Sequence, residues 1–146
     1  MQRSLIIAAI LALTAGTVTA QVDIIKNRQT IMKGVGKATG DLVKVMKGEA
    51  KFDLGQAQDA FKVYADAGKK MPGLFPDTTK TGGDTAALPK IWEAKADFDA
   101  KFAKLAADSE RLGPTIKDEA SFKAAFGEVT KNCGGCHETY REKPKT

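Results

Sequence analysis

The chain contains little cysteine, histidine or tryptophan, with two, one and one residues respectively among 146. A structural zinc ion needs about four cysteine or histidine ligands, so zinc binding would require a ligand from another chain. Apolar runs are shorter than the roughly 20 residues of a membrane-spanning helix, and no segment alternates convincingly with the period of a strand. The sequence also has no basic cluster or motif typical of nucleic-acid binding. These features argue against several common protein classes and favour a helical domain.

The one histidine directly follows the second cysteine, in the segment Cys-Gly-Gly-Cys-His at 133–137. The pattern C-x-x-C-H is typical of a haem c attachment site. Two thiolates form thioethers with the haem vinyl groups, and the adjoining imidazole lies within reach of the iron as an axial ligand. The motif therefore predicts one covalently bound haem c, attached through Cys133 and Cys136, with His137 as the iron ligand.

Two other uses of a C-x-x-C pair remain open. A thioredoxin-like redox pair lies beside a βαβ pattern, whereas the sequence around residues 133–137 has helical periodicity. A disulfide between the two cysteines would suit an oxidising compartment. Haem attachment would consume both thiols, and among these uses it alone requires a histidine directly after the second cysteine.

The first 20 residues have the three features of a secretory signal peptide. Arg3 supplies a positive charge, residues 5–13 form an apolar run, and Val-Thr-Ala at 18–20 is a small-residue cleavage signal. A membrane anchor is the alternative, but the apolar run is too short to span a bilayer. We therefore expect cleavage before Gln21, a single domain over residues 21–146, and a soluble periplasmic protein.

The mature chain would carry a small positive charge. The full chain has a net charge of +5, and cleavage would remove Arg3 and no other charged residue, leaving +4. The haem propionates would lower this value by about two. A weak basic excess suits a carrier that meets acidic partners, such as periplasmic redox proteins.

Apolar residues recur with helical spacing in four segments of the mature chain. Asp53 is a good N-cap for the second segment, and Pro89 suits the first turn of the third. In the fourth segment both cysteines fall on the inward apolar stripe. The pattern predicts an all-α protein, a four-helix bundle that buries all four stripes. The predicted helices span 23–47, 53–71, 89–112 and 117–140, and the inward stripe of the first consists of Ile24, Arg28, Ile31, Val35, Ala38, Leu42 and Val45.

A second iron ligand would have to come from before the haem motif, because the nine residues after it include no Met, His or Cys. Met32, on the first helix, is one of three methionines in the mature chain. It lies one turn after Arg28, whose charge is costly on an inward stripe unless a partner such as a haem propionate is present. Alternatives remain for both residues: Arg28 would extend to water near a helix end, and Met32 would pack in the core.

Over essentially its whole mature length the chain resembles the cytochrome c′ family, the class II c-type cytochromes. The resemblance rests on R-Q-x-x-M at 28–32, F-P…G-G-D at 75–84, P-K-I-W at 89–92 and C-G-G-C-H-E-T-Y-R at 133–141. It implies a left-handed antiparallel four-helix bundle with covalently bound haem, often a homodimer packed through the first two helices. It also implies a five-coordinate, high-spin haem with His137 as the sole protein ligand of the iron.

The resemblance assigns roles to other side chains around the haem. Met32 would cover the distal face of the iron, and Arg28 would contact a propionate. Four further residues are implied to lie near the haem: one beside Arg28, two in a loop and one on the proximal side. They are Gln29, Thr81, Asp84 and Arg141, respectively.

Three functions are compatible with these residues. An apolar distal face would exclude anions and water, which lose hydrogen bonds on entry, and would admit neutral diatomics such as NO and CO. The first function is therefore a periplasmic high-spin cytochrome that binds NO or CO, transfers electrons, or does both. The second is a low-spin electron carrier in which the Met32 sulfur is the sixth iron ligand. The third is a peroxidase-like enzyme, which needs a distal acid or base; the chain has no second histidine, so we expect no catalysis.

Overall fold

Six α-helices make up the computed structural model, which describes residues 2–143, with side chains from residue 20 onward. Short 3-10 turns at Met71–Leu74, Asp77–Thr79 and Gly113–Thr115 lie between them. Across the described residues the only strand-like pairing is an isolated antiparallel bridge between Ala87 and Arg141. The helices are α1 (Gln2–Met46), α2 (Leu54–Lys70), α3 (Lys90–Glu93), α4 (Lys95–Leu112), α5 (Glu119–Val129) and α6 (Lys131–Tyr140).

Two of the four predicted helical stretches are divided in the structure. The third breaks at Ala94, whose φ of −127° and ψ of 47° lie outside the helical region. The fourth breaks at Thr130, where the amide of Cys133 donates to the Thr130 carbonyl at 3.0 Å, an i to i+3 bond that tightens the turn. The break at Thr130 gives the haem motif a short helix of its own, α6.

The starts of two helices follow from local capping. Asp53 accepts a hydrogen bond from the Gln56 amide at 2.6 Å, which confirms it as the N-cap of α2. Asp118 and Ser121 form a reciprocal capping box at the start of α5. Such side chains satisfy backbone donors that the first turn of a helix leaves without partners.

The core forms where α2 and α4 pack closely together, with side chains of the other helices closing around them. Gly68 on α2 permits this approach, since a Cβ placed there would lie 2.8 Å from the Ala106 Cβ and 2.8 Å from the Phe102 carbonyl oxygen. Burial of large apolar side chains is the main favourable term in folding. The largest side chains with almost no exposure are Phe61, Phe122, Leu42, Ile91, Ile116 and Val129.

The inward stripe of α1 is buried unevenly. Leu42 and Val45, near the end of the helix, are buried in the core, whereas Ile31, Val35 and Ala38 are only half-buried. α1 packs against α2 and the turns that follow it, while α6 packs against α3, α4 and α5. The middle of α1 therefore presents apolar side chains that the described part of the chain covers only in part.

The predicted signal peptide lies largely outside the residues whose side chains are described, so cleavage before Gln21 stays a prediction. The backbone of α1 continues through residue 20 as helix. Among the described helices, none combines the length and the apolar character that crossing a bilayer demands.

Candidate haem-binding site

The short helix α6 presents the Cys-Gly-Gly-Cys-His motif. Cys133 and Cys136 are both half-buried and are not joined in a disulfide, and Cys136 packs against the hydrophobic core. Burial raises the pKa of both thiols. His137 is largely exposed. Partial burial, and to a lesser degree the positive charge of Arg141, lower the pKa of its imidazole. A neutral imidazole is the form that binds a metal ion.

A polar cluster holds the N-terminal end of α6. The Asn132 side-chain amide donates to Asp108 at 2.9 Å and to the Val129 carbonyl at 3.1 Å. Asp108 also accepts from Lys104 at 2.5 Å and from Arg111 at 3.1 Å. Hydrogen bonds from Lys104 and Asn132 lower the pKa of the Asp108 carboxyl to about 2. The cluster thereby fixes the residue immediately before the first haem cysteine.

The C-terminal end of α6 is tied to α4 and to the segment before α3. The buried Tyr140 hydroxyl donates to Asp97 at 2.5 Å, and this bond, together with burial, raises the pKa of Tyr140 to about 12. The Tyr140 carbonyl accepts from the Leu88 amide at 3.0 Å, and the Glu142 amide donates to the Ala86 carbonyl at 2.8 Å. The haem motif is thus held at both ends.

Arg28 on α1 is a buried cation, with only 4% of its surface exposed. Its guanidinium donates to the Leu74 carbonyl at 3.3 Å and to the Thr79 and Thr85 hydroxyls at 3.2 and 3.5 Å. It also lies 4.3 Å from the centre of the Phe75 ring. Burial excludes the alternative in which the side chain extends to water, and it lowers the pKa of the guanidinium.

No carboxylate among the described residues forms an ion pair with Arg28: in that part of the chain, its hydrogen-bond partners are all neutral. A buried charge without an opposite charge is costly. The donor set of Arg28 therefore fits a group that brings a negative charge, as a haem propionate would.

The loop before α3 is fastened to α1 beside Arg28. The Gln29 side-chain amide donates to the Asp84 carbonyl at 2.7 Å. Gly83 has a φ of +73°, and a Cβ there would lie 2.8 Å from the Cδ1 of Ile25, so only glycine fits this contact. The side chains of Thr81 and Asp84 are exposed. The structure therefore brings the loop to Gln29 through its backbone, while the side chains of Thr81 and Asp84 form no hydrogen bond with another described residue.

The three mature methionines lie in different surroundings. Met71 is buried in the core at 3% exposure, and Met46 is 39% exposed. Met32 is half-buried and packs against the edge of the core. Met32 lies in the middle of α1, beside the half-covered Ile31 and Val35, whereas Met46 lies at the end of the helix.

Tyr64 on α2 is a buried tyrosine that contacts α1. Its hydroxyl is 3.1 Å from the Thr39 hydroxyl on α1. Burial raises the pKa of Tyr64 to about 12. Half-buried side chains of both α1 and α6, among them Val35 and Cys136, pack against the same hydrophobic core. Their apolar character suits a flat apolar group such as a porphyrin.

A separate groove of about 510 Å³ lies between α2 and α4. The Lys69–Glu110 ion pair joins the two helices there, and Lys62 and Lys117 are also among the lining residues. Cysteine, histidine and methionine are absent from the residues that line it. This groove is distinct from the surfaces that carry the haem motif and Met32.

Sequence and structural comparisons agree with these features. The model of the family described as Cytochrome C′ matches residues 23–141. Cytochrome c′ of Rhodopseudomonas palustris is 52% identical over 137 residues, which cover 94% of each chain. Cytochrome c-556 of the same organism is 36% identical over 147 residues, covering 98% of this chain and 99% of the relative.

A solved structure of Rhodopseudomonas palustris cytochrome c′ aligns with a TM-score of 0.81 and 53% identity. It covers 84% of this chain and 98% of the solved chain, which confirms the predicted four-helix-bundle fold. The chain therefore belongs to the cytochrome c′ family and is a c-type cytochrome that binds haem c covalently.

Proposed function

We propose that Cys133 and Cys136 carry the two haem thioethers and that His137 is the axial iron ligand. The half-buried thiols, the adjoining imidazole and the fastening of α6 at both ends support this assignment. When bound, the haem supplies one-electron redox chemistry and a coordination site for diatomic gases. The protein orients the group and controls access to each of its faces.

Arg28 is assigned as the partner of a haem propionate. Its burial and its neutral hydrogen-bond partners support the assignment, because a carboxylate would supply the opposite charge. Gln29 is assigned to the haem surroundings through the loop that it holds. The exposed side chains of Thr81, Asp84 and Arg141 stay predicted haem neighbours.

We propose a high-spin cytochrome with a five-coordinate haem that binds NO and CO at its distal face and also transfers electrons. The half-buried, apolar inward face of α1 around Met32 carries this proposal. Entry to such a face costs a neutral diatomic little, whereas an anion would lose its hydration without gaining hydrogen bonds. The face also offers no acid or base for peroxide cleavage among its described side chains, so the proposed function is not enzymatic.

A low-spin electron carrier, with the Met32 sulfur bound to the iron, is the alternative. Met32 packs against the edge of the core in the middle of α1, whereas Met71 is fully buried and Met46 lies at the end of α1.

Absorption spectra of the holoprotein and of Met32→Ala separate the two functions. A five-coordinate haem predicts that Met32→Ala leaves the ferric resting spectrum unchanged and that the reduced native protein binds CO readily. Met46→Ala is the matched control, because this methionine is exposed at the end of α1. A band typical of Fe–S(Met) ligation in the native protein, lost only in Met32→Ala, would favour the low-spin carrier.

The proposed setting is the periplasm, after removal of residues 1–20. The solved cytochrome c′ chain is matched almost completely by 84% of this chain, a share close to that of the predicted mature domain. Periplasmic redox proteins are the proposed partners. A homodimer through the first two helices stays a prediction, and the exposed apolar side chains on or beside them are Met46, Leu54 and Val63.

A further inference from the structure

Four lysines form a straight row along the outer face of α1. Their spacing of seven, four and seven residues places them within about 40° of one another around a helix with 3.6 residues per turn. At about 1.5 Å per residue the row is about 27 Å long. Its members, all exposed, are Lys26, Lys33, Lys37 and Lys44, and we refer to them as the lysine row.

Acidic neighbours neutralise only a small part of the positive charge of the lysine row. Asp41 contacts Lys37 at 2.8 Å and Lys44 at 3.4 Å. Lys26 and Lys33 form no ion pair with any residue in the described part of the chain. On α2 and α4, by contrast, lysines are matched with acidic residues three or four positions away: Lys62 with Asp59, Lys70 with Asp66, Lys95 with Asp99 and Lys104 with Asp108.

The surface around the lysine row is polar, and several positions on it carry no side chain. Gly34, Gly36 and Gly40 lie beside the row, and a Cβ on any of them would meet open space. A helix that binds a lipid surface needs apolar side chains that enter the bilayer, and the row has none between its lysines. A second copy of the same row would be repelled by like charge. The chemistry of this face fits an acidic protein surface.

The lysine row also lies directly opposite the haem side of α1. Val35, on the inward stripe, is nine positions from Lys26 and therefore about 180° around the helix. A partner docked on the row would be separated from the proposed haem position by about one helix diameter, roughly 10 Å. We propose that the lysine row is the docking surface for an acidic redox protein that exchanges electrons with the haem. The inference rests on the proposed electron-transfer function and adds the partner class to it.

Two triple variants with equal charge loss test the proposal. The row variant leaves the Lys37–Asp41 pair intact, and the control removes three exposed lysines from other faces. The measurement is the second-order rate constant for reduction of each ferric holoprotein by a reduced flavodoxin, a small acidic flavin protein, at low and at physiological salt. Uncharged reduced riboflavin serves as a second reductant. The row variant is K26Q/K33Q/K44Q, and the control variant is K62Q/K117Q/K123Q.

At low salt we expect the row variant to react with flavodoxin about tenfold more slowly than the native protein, since steering raises association rates by such factors. The control variant should stay within about twofold, and the difference should shrink at physiological salt. Equal slowing of both variants, or of neither, would overturn the proposal. Binding of the native protein to vesicles of phosphatidylglycerol that depends on the row, without an effect on flavodoxin, would also overturn it in favour of a lipid surface.

Reduced riboflavin distinguishes failure of the inference from failure of the proposed function. Equal riboflavin rates in all three proteins would support the view that the row acts on docking and leaves the haem unchanged. Lack of reduction by riboflavin in the native protein would instead overturn electron transfer itself. Dimerisation of the row variant, but not of the control variant, would assign the face to a second copy and contradict the proposal.

Discussion

Asp108 is the residue that links the haem-bearing helix to the rest of the bundle. It lies on α4, its side chain is only 12% exposed, and it accepts hydrogen bonds from Lys104, Arg111 and Asn132. Asn132 directly precedes the first haem cysteine. Charge-assisted hydrogen bonds of this kind are stronger than neutral ones, so we expect Asp108 to stabilise the fold and to hold α6 in place for the proposed haem attachment.

Asp108→Asn should lower the free energy of unfolding of the holoprotein at neutral pH by about 1–2 kcal/mol, because charge-assisted bonds are lost. The pKa of Asp108 is lowered from 3.8 to about 2 in the folded state. Its contribution is therefore complete above about pH 4 and is lost as the pH falls towards 2. Guanidinium unfolding at several pH values should show the native and variant proteins converging in acid.

Asp66→Asn is the matched control for Asp108→Asn. Its side chain is 66% exposed, and it pairs only with Lys70 on the same helix, an interaction worth a few tenths of a kcal/mol. The variant should therefore unfold like the native protein at every pH. A gap between native protein and Asp108→Asn that stays constant down to pH 2 would show that the carboxylate charge is not the stabilising feature.

Residues whose chemistry is local could be predicted from the sequence, and residues that act across the fold could not. The haem motif and the N-cap Asp53 carry their own signals in spacing and residue type. The Asp108–Asn132 bond joins positions 24 residues apart, and neither residue is unusual in its segment. Ile25 was missed for the same reason, because it is buried against the loop at Gly83 rather than against another helix.

At the scale of elements, the contact between α2 and α4 depends on one small residue. Gly68→Ala should lower the free energy of unfolding of the holoprotein by about 1–3 kcal/mol. A Cβ there would lie 2.8 Å from the Phe102 carbonyl oxygen, and backbone atoms cannot move aside easily. Chemical denaturation followed by far-ultraviolet circular dichroism measures the change.

Gly127→Ala on α5 is the control, since it makes the same change in a helix where a Cβ would meet no atom within 4 Å. Alanine favours a helix by up to about 1 kcal/mol over glycine, so this variant should be slightly more stable than the native protein. Stabilisation by both substitutions would mean that the α2–α4 contact has room to adjust.

Helical periodicity identified the four stretches of the bundle but not the interruptions in two of them. The breaks at Ala94 and Thr130 fall at residues that are ordinary in a helix, so propensity carries no signal for them. The bridge between Ala87 and Arg141 was equally invisible, because it pairs two single residues and lacks the alternation of a strand.

At the scale of the whole molecule, the bundle leaves the middle of the inward face of α1 half-covered. Composition and periodicity predicted a single helical domain, and the resemblance supplied the cofactor arrangement. The uneven burial of α1 could not be predicted, since the same stripe runs from the half-buried Ile31 to the fully buried Leu42. That difference arises from where the other helices lie.

The proposed export of the protein makes a prediction about its mature form. Protein purified from the periplasm of a host that attaches haem c should begin at Gln21 and carry the added mass of one haem. Intact-protein mass spectrometry measures both. Replacing Ala20 by Trp should block cleavage, because the site requires small residues. A haem-loaded native protein that retains residues 1–20 would contradict the assignment of a signal peptide.

Met32 is proposed to cover the distal side of the haem without binding the iron. Electron paramagnetic resonance of the native ferric protein at neutral pH tests it most directly, because the spin state reports the sixth coordination position. The claim predicts a high-spin signal from a haem held by His137 alone. A low-spin signal that becomes high-spin in Met32→Ala, and not in Met46→Ala, would contradict it.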